Sequence, residues 1–162
     1  MRAVRRVMEL IASVERGDPW HGPSTRAVLE GTSAQEAAAR PIPNAHTIWE
    51  IVLHLTAWAR EVRRRILGGE PALPAEGDWP EPPKATEGAW AESLADFAVA
   101  HAGLLAALEG FPGERMDEIV DGARNGPLGT GTSYGAMLAG VALHDSYHTG
   151  QIALIRKAIA RP

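Results

Sequence analysis

The chain has 162 residues, enough for one domain with a real core and short for two. Its 45% hydrophobic and 22% charged residues are an ordinary globular balance, which excludes disorder throughout. A formal net charge of -4 argues against a nucleic-acid binder, because phosphate recognition wants clustered Lys and Arg. There is no cysteine, so disulfides, thiolate nucleophiles and Cys-type zinc sites are excluded, and any metal must be held by His, Asp or Glu.

Twelve prolines parse the chain and leave four proline-free windows, 1–18, 44–70, 84–111 and 128–161. A helix interior excludes proline, which lacks the N–H and clashes with the preceding turn. In the first window Val4, Val7, Met8, Ile11 and Val14 share one helical face, with Gly17 as the stop. The basic start is followed by Glu9 and Glu15 rather than by an apolar stretch of signal-peptide length, so a cytoplasmic protein is expected. The connection 17–46 has room for two short helices, 24–30 and 33–40. In the second window Thr47 and Glu50 form a capping box, Ile51, Leu55, Trp58 and Val62 continue a stripe, and Gly68 and Gly69 end it. The basic run 60–65, broken by Glu61, reads as the solvated outer face of this helix.

The proline-rich connection 69–85 reads as a mostly irregular crossover. The third window runs through Trp90, Leu94, Phe97, His101, Leu104 and Leu108, close to a heptad seam, between Thr86 and Gly110. Ile119 and Val120 are too short a run to count as a strand. The fourth helix is expected over 132–159, with Met137, Val141, His144, His148, Ile152 and Ile155 on one face. No window approaches the roughly 18 apolar residues of a membrane span. Four long helices joined by Pro/Gly-rich connections predict an all-α, single-domain four-helix bundle over 1–162.

The sharpest chemical feature is His144-Asp-Ser-Tyr-His148. Spacing i, i+4 puts both imidazoles on one face, where they can converge on one ion. The pair continues the apolar stripe of its helix, so it should point into the bundle, where buried imidazoles need partners. His54, between Ile51, Leu55 and Trp58, faces the same interior and completes a three-histidine site. Other polar residues are given lesser parts. Asp145 is expected to turn from the metal, with a role as orienter or base as the alternative, and Gln151 could line a pocket mouth. Glu50 caps its helix. His101 is expected to hydrogen-bond across the core rather than serve as a fourth ligand. His46 and His21 sit near helix starts, where lidding the site and chance surface placement are both open. Trp20, Trp49, Trp58 and Tyr147 read as packing, with Tyr147 a candidate pocket hydroxyl.

The segment His46-Thr-Ile-Trp-Glu-Ile-Val-Leu-His54-Leu-Thr-Ala-Trp58 resembles the DinB/YfiT-like helical-bundle proteins. So does His144-Asp-Ser-Tyr-His148-Thr-Gly-Gln-Ile-Ala-Leu-Ile-Arg-Lys157, and Trp20-His21-Gly-Pro-Ser24 is similar to a subgroup of the same family. The likeness spans nearly the whole chain, with its motifs in the expected order. The resemblance implies a four-helix bundle with a three-histidine metal site, matching His54, His144 and His148 here. It implies nickel, zinc, iron or manganese as the ion, and thiol-dependent transferases or isomerases using small thiols such as mycothiol or bacillithiol as characterised relatives. A metal-dependent enzyme acting on a small molecule is therefore expected, and a non-catalytic metal- or ligand-binding stress protein is the alternative. A metalloprotease reading of His144-Asp-x-x-His148 is weak. Aspartate is a methylene shorter than the glutamate of HExxH, and an all-helical chain offers no sheet edge to a peptide. A bundle this apolar is expected to spare a face for a homodimer partner.

Overall fold

Five of the six helices among the described residues begin at a serine or threonine whose hydroxyl accepts the amide three residues on, the signature of an N-cap. A computed structural model describes residues 2–120 and 131–160. Its helices are α1 (Arg2–Arg16), α2 (Thr25–Leu29), α3 (Ala34–Ala38), α4 (Ile48–Ile66), α5 (Glu87–Glu109) and α6 (Tyr134–Ile159). Thr47 and Glu50 close the expected capping box on α4, and Ser33 and Glu36 close a second on α3. Gly17 ends α1. Its amide bonds the Ser13 carbonyl at 2.9 Å, and a Cβ there would lie 2.8 Å from the Ser13 Cα, so a side chain would collide with the last turn. The fourth proline-free window is described from residue 131 onward; its first positions lie outside the described residues.

The architecture is the expected all-α bundle. α1, α6, α4 and α5 pack in a ring, each against the next, while α2 covers α1 and α6, and α3 covers α4 and α5. A single turn of 3-10 helix, Gly113–Asp117, was not expected; it follows Pro112, in a connection too short to show a period. Ile119 makes only one isolated antiparallel bridge, to Ser133.

The core divides into two apolar halves. One holds Val4, Ile11, Val62, Ile66, Leu104, Leu108 and Leu138; the other holds Ile48, Trp49, Ile51, Leu55, Trp90, Phe97, Ile152 and Ile155. α4 and α5 both run from the second half to the first, so they are parallel, and α6 runs the other way. Two parallel neighbours need a connection that returns the full length of α4, about 28 Å for 19 residues. That is the physical reason the segment between them is long. It contains no helix or strand, as expected, and its middle passes the waist of the bundle.

Two expectations need correction. The run 60–65 is not a solvated face throughout: Glu61 and Arg65 are buried. The Glu61 carboxylate accepts from Arg65 Nε at 2.7 Å, from Arg64 Nε at 2.8 Å and from the Ala72 amide at 3.0 Å, which moors the returning segment. Burial pushes the Glu61 carboxyl up, but those arginines outweigh it and hold it below its ordinary range. Second, α5 is long and apolar enough, by length and composition alone, to cross a membrane. Here Trp90, Phe97, Leu104 and Leu108 on it are buried in the core, with His101 between them.

Candidate metal centre

Between the two apolar halves lies a belt of polar side chains: His54 on α4, His101 on α5, and Asp145, His148 and Thr149 on α6, all buried. The i, i+4 spacing of α6 brings His144 and His148 to one face, and the antiparallel run of α4 sets His54 opposite. One ring nitrogen from each of the three lies within 4.8 Å of the others, and His54 Nε2 is 2.9 Å from His144 Nε2. Two nitrogens each 2.0–2.1 Å from one ion at a right angle would be about 2.9 Å apart, so the spacing suits a shared cation.

The outer nitrogens are held by acceptors. His54 Nδ1 donates to the Asp78 carbonyl at 2.6 Å, and His148 Nδ1 donates to Gln151 Oε1 at 2.6 Å. These acceptors assign the protons to Nδ1 and leave the Nε2 lone pairs of both rings directed inward. His144 Nδ1 lies 3.9 Å from Asp145 Oδ1, beyond hydrogen-bond reach, so no acceptor fixes the tautomer of this ring. The 2.9 Å approach of His54 Nε2 to His144 Nε2 requires either a proton shared in a hydrogen bond or a cation held between the two nitrogens. Burial lowers all three histidine pKa values, aided at His144 by the neighbouring His148, which takes His144 to about 4. The rings are therefore neutral near pH 7, the ligating form.

The connection between α4 and α5 supplies two groups that the sequence reading missed. The Trp79 indole stacks on His54 with centroids 3.8 Å apart and on His46 with centroids 3.5 Å apart, so the three rings form a sandwich over the site. Asp78 holds His54 through its carbonyl, and its carboxylate accepts from Trp58 Nε1 at 2.7 Å. No spacing rule could have found them, because one acts through backbone and the other lies in an aperiodic loop.

The remaining candidates fall out individually. Gln151 is a hydrogen-bond partner of His148 rather than a pocket-mouth residue. Asp145 stands outside the three-histidine group and is buried: His101 Nε2 donates to it at 3.1 Å, while His101 Nδ1 faces the Phe97 carbonyl at 3.0 Å. His101 thus bonds across the core as expected and stands outside the three-histidine group. Burial opposes charge on His101, but the bond and charge of Asp145 outweigh it and raise its pKa. Glu50 caps α4 and is gripped by Arg40. His46 joins the site through Trp79, whereas His21 lies on the surface near Ser146. Trp49 packs in the core and Trp58 walls the site, but Trp20 is fully exposed and Tyr147 largely so, which corrects their reading as packing.

A family model described as the DinB superfamily matches residues 20–152. That span holds all three histidines, Trp79 and most of the bundle. The chain belongs to the DinB superfamily. Comparison with curated proteins and with solved structures gives no match. DinB membership accords with the all-helical architecture and with the resemblance carried by the two histidine motifs, and what this DinB chain does must be argued from its own side chains.

Proposed function

We propose that this DinB protein holds one divalent ion through His54, His144 and His148 and uses it to activate a small thiol or water against a small-molecule substrate. The observation that carries the reading is the convergence of one ring nitrogen from each histidine, with the Nε2 lone pairs of His54 and His148 fixed inward by an acceptor on the far side of each ring. Orienting partners of this kind hold histidine ligands in the correct tautomer. Nickel, zinc, iron and manganese all suit a neutral nitrogen donor set.

Three neutral ligands leave an ion its full charge and open positions, so that it can lower the pKa of a bound thiol or water. A thiol is favoured over water. Of the carboxylates beside the site, Asp145 is buried against His101 and Asp78 already accepts from Trp58, so neither is dedicated to taking a proton from water. A thiol is acidic enough for the ion alone to suffice, and in a chain without cysteine it must come from a cosubstrate. The same engaged carboxylates also suit a non-catalytic metal- or ligand-binding protein, the alternative reading.

The test is elemental analysis of protein purified without a polyhistidine tag, beside His54→Ala and His148→Ala. About one equivalent of metal in the wild type, lost in both folded variants, supports the site. A screen of small thiols with electrophilic substrates then decides between enzyme and binding protein. No stoichiometric metal after incubation with all four ions would sink the reading.

A further inference from the structure

A cavity of about 350 Å³ opens beside His54 and His144, walled among the described residues mainly by Trp58, Val62, Met137, Gly140 and Val141. That volume lies in the range of small-molecule sites, and a space of roughly 150 Å³ already takes a benzene ring. We propose that the substrate of this centre is a largely apolar molecule with no anionic group on its body, that body seated between Trp58, Val62, Met137 and Val141 and only its reacting end turned to His54 and His144. The inference rests on the metal reading above and adds to it the chemical class of the substrate.

Two observations carry it. First, the one cationic side chain on the cavity wall among the described residues is already matched within the protein, and both carboxylates there accept hydrogen bonds. Arg65 donates to Glu61 at 2.7 Å, Asp145 accepts from His101 at 3.1 Å, and Asp78 accepts from Trp58 at 2.7 Å. An anionic substituent on the substrate's body would leave water and meet only a cation already paired with Glu61, which is unfavourable in an apolar cleft. Second, Gly140 lies inside the 26-residue helix α6, where glycine is less favourable than alanine. No crowding demands it there. A Cβ at Gly140 would meet nothing within 4 Å among the described residues, and the residue lines the cavity. Its absent side chain leaves room for a ligand that packing alone does not explain. Met137, unbranched and polarizable, is suited to mould around such a body.

The experiment uses the full chain loaded with cobalt, whose visible spectrum reports both metal uptake and ligand binding without turnover. Three hydroxamates serve as probes: acetohydroxamate, benzohydroxamate and para-carboxybenzohydroxamate. They share one chelating group and differ only in the body presented to the cavity. Benzohydroxamate is expected to bind at least about tenfold tighter than acetohydroxamate, from the burial of its ring. The para-carboxylate should lose at least about tenfold of that gain. Gly140→Val should erase the advantage of the ring and leave acetohydroxamate unchanged, whereas Gly150→Ala, at an exposed position of α6, should alter neither. Equal binding of acetohydroxamate and benzohydroxamate, or a carboxylate probe as tight as benzohydroxamate, would overturn the inference while the metal reading stood. Failure to take up cobalt at all would remove the metal reading, and the substrate class with it.

Discussion

Gln151 and the Asp78 carbonyl do the same work from opposite sides of the centre. Each accepts the Nδ1 proton of a histidine and so keeps the Nε2 lone pair pointing inward. Loss of such a partner typically costs 10- to 100-fold in metal affinity. Gln151→Ala is therefore expected to weaken zinc binding by roughly that factor in a competition titration with a chromophoric chelator, with an unchanged helical spectrum. An unaltered affinity would mean that packing alone fixes the His148 ring. These residues also show what the sequence could disclose. The three histidines were legible because helical period puts them on inward faces. Gln151 stands one turn after His148, visible but open to another use, since i+3 spacing does not say which atom it meets. Asp78 acts through a carbonyl that every residue type shares, and Trp79 lies where no period operates.

At the scale of elements, the polar belt is what separates the two apolar halves of the core, and it has a structural cost. His101 and Asp145 are buried together, joined at 3.1 Å. Removing one partner of a buried ion pair leaves the other uncompensated and typically costs 3–5 kcal/mol, whereas replacing both with apolar groups is often neutral. Asp145→Ala should thus lower the urea-derived stability by about 3 kcal/mol or more, and His101→Leu with Asp145→Leu should cost less than Asp145→Ala alone. If the double variant proves the worse of the two, the pair is contributing more than mutual compensation. The four long helices could be read from proline spacing and apolar stripes, but their directions could not, because a stripe looks the same either way up the bundle. That α4 and α5 run parallel appears only in the packing, and it is this that sends the returning chain past the waist with Asp78 and Trp79 aboard.

For the whole molecule, metal and protons compete for the same three rings, so stability should depend on pH in opposite ways with and without an ion. His54, His144 and His148 have folded pKa values below 6.5, His144 at about 4. Between about pH 6.5 and 4 the unfolded chain therefore binds more protons than the folded one, and stability falls as pH falls through that window. His101 acts the other way: its folded pKa is raised, so its contribution is present below pH 6.5 and fades as pH climbs past the folded value. Chelator-treated protein should accordingly show a Tm that peaks and declines on both sides, more steeply on the acid side, where three groups act together. An ion at a thousandfold excess over its Kd adds about 4 kcal/mol near neutrality. That increment should shrink as pH falls below 6.5 and be lost toward and below pH 4, as the rings protonate and release the ion. Calorimetry from pH 3.5 to 8.5, with zinc and with chelator, reads both curves. Their merging at low pH and parting near neutrality is the expected result. A zinc increment constant across the range would place the ion on groups that do not titrate there, and so not on these histidines.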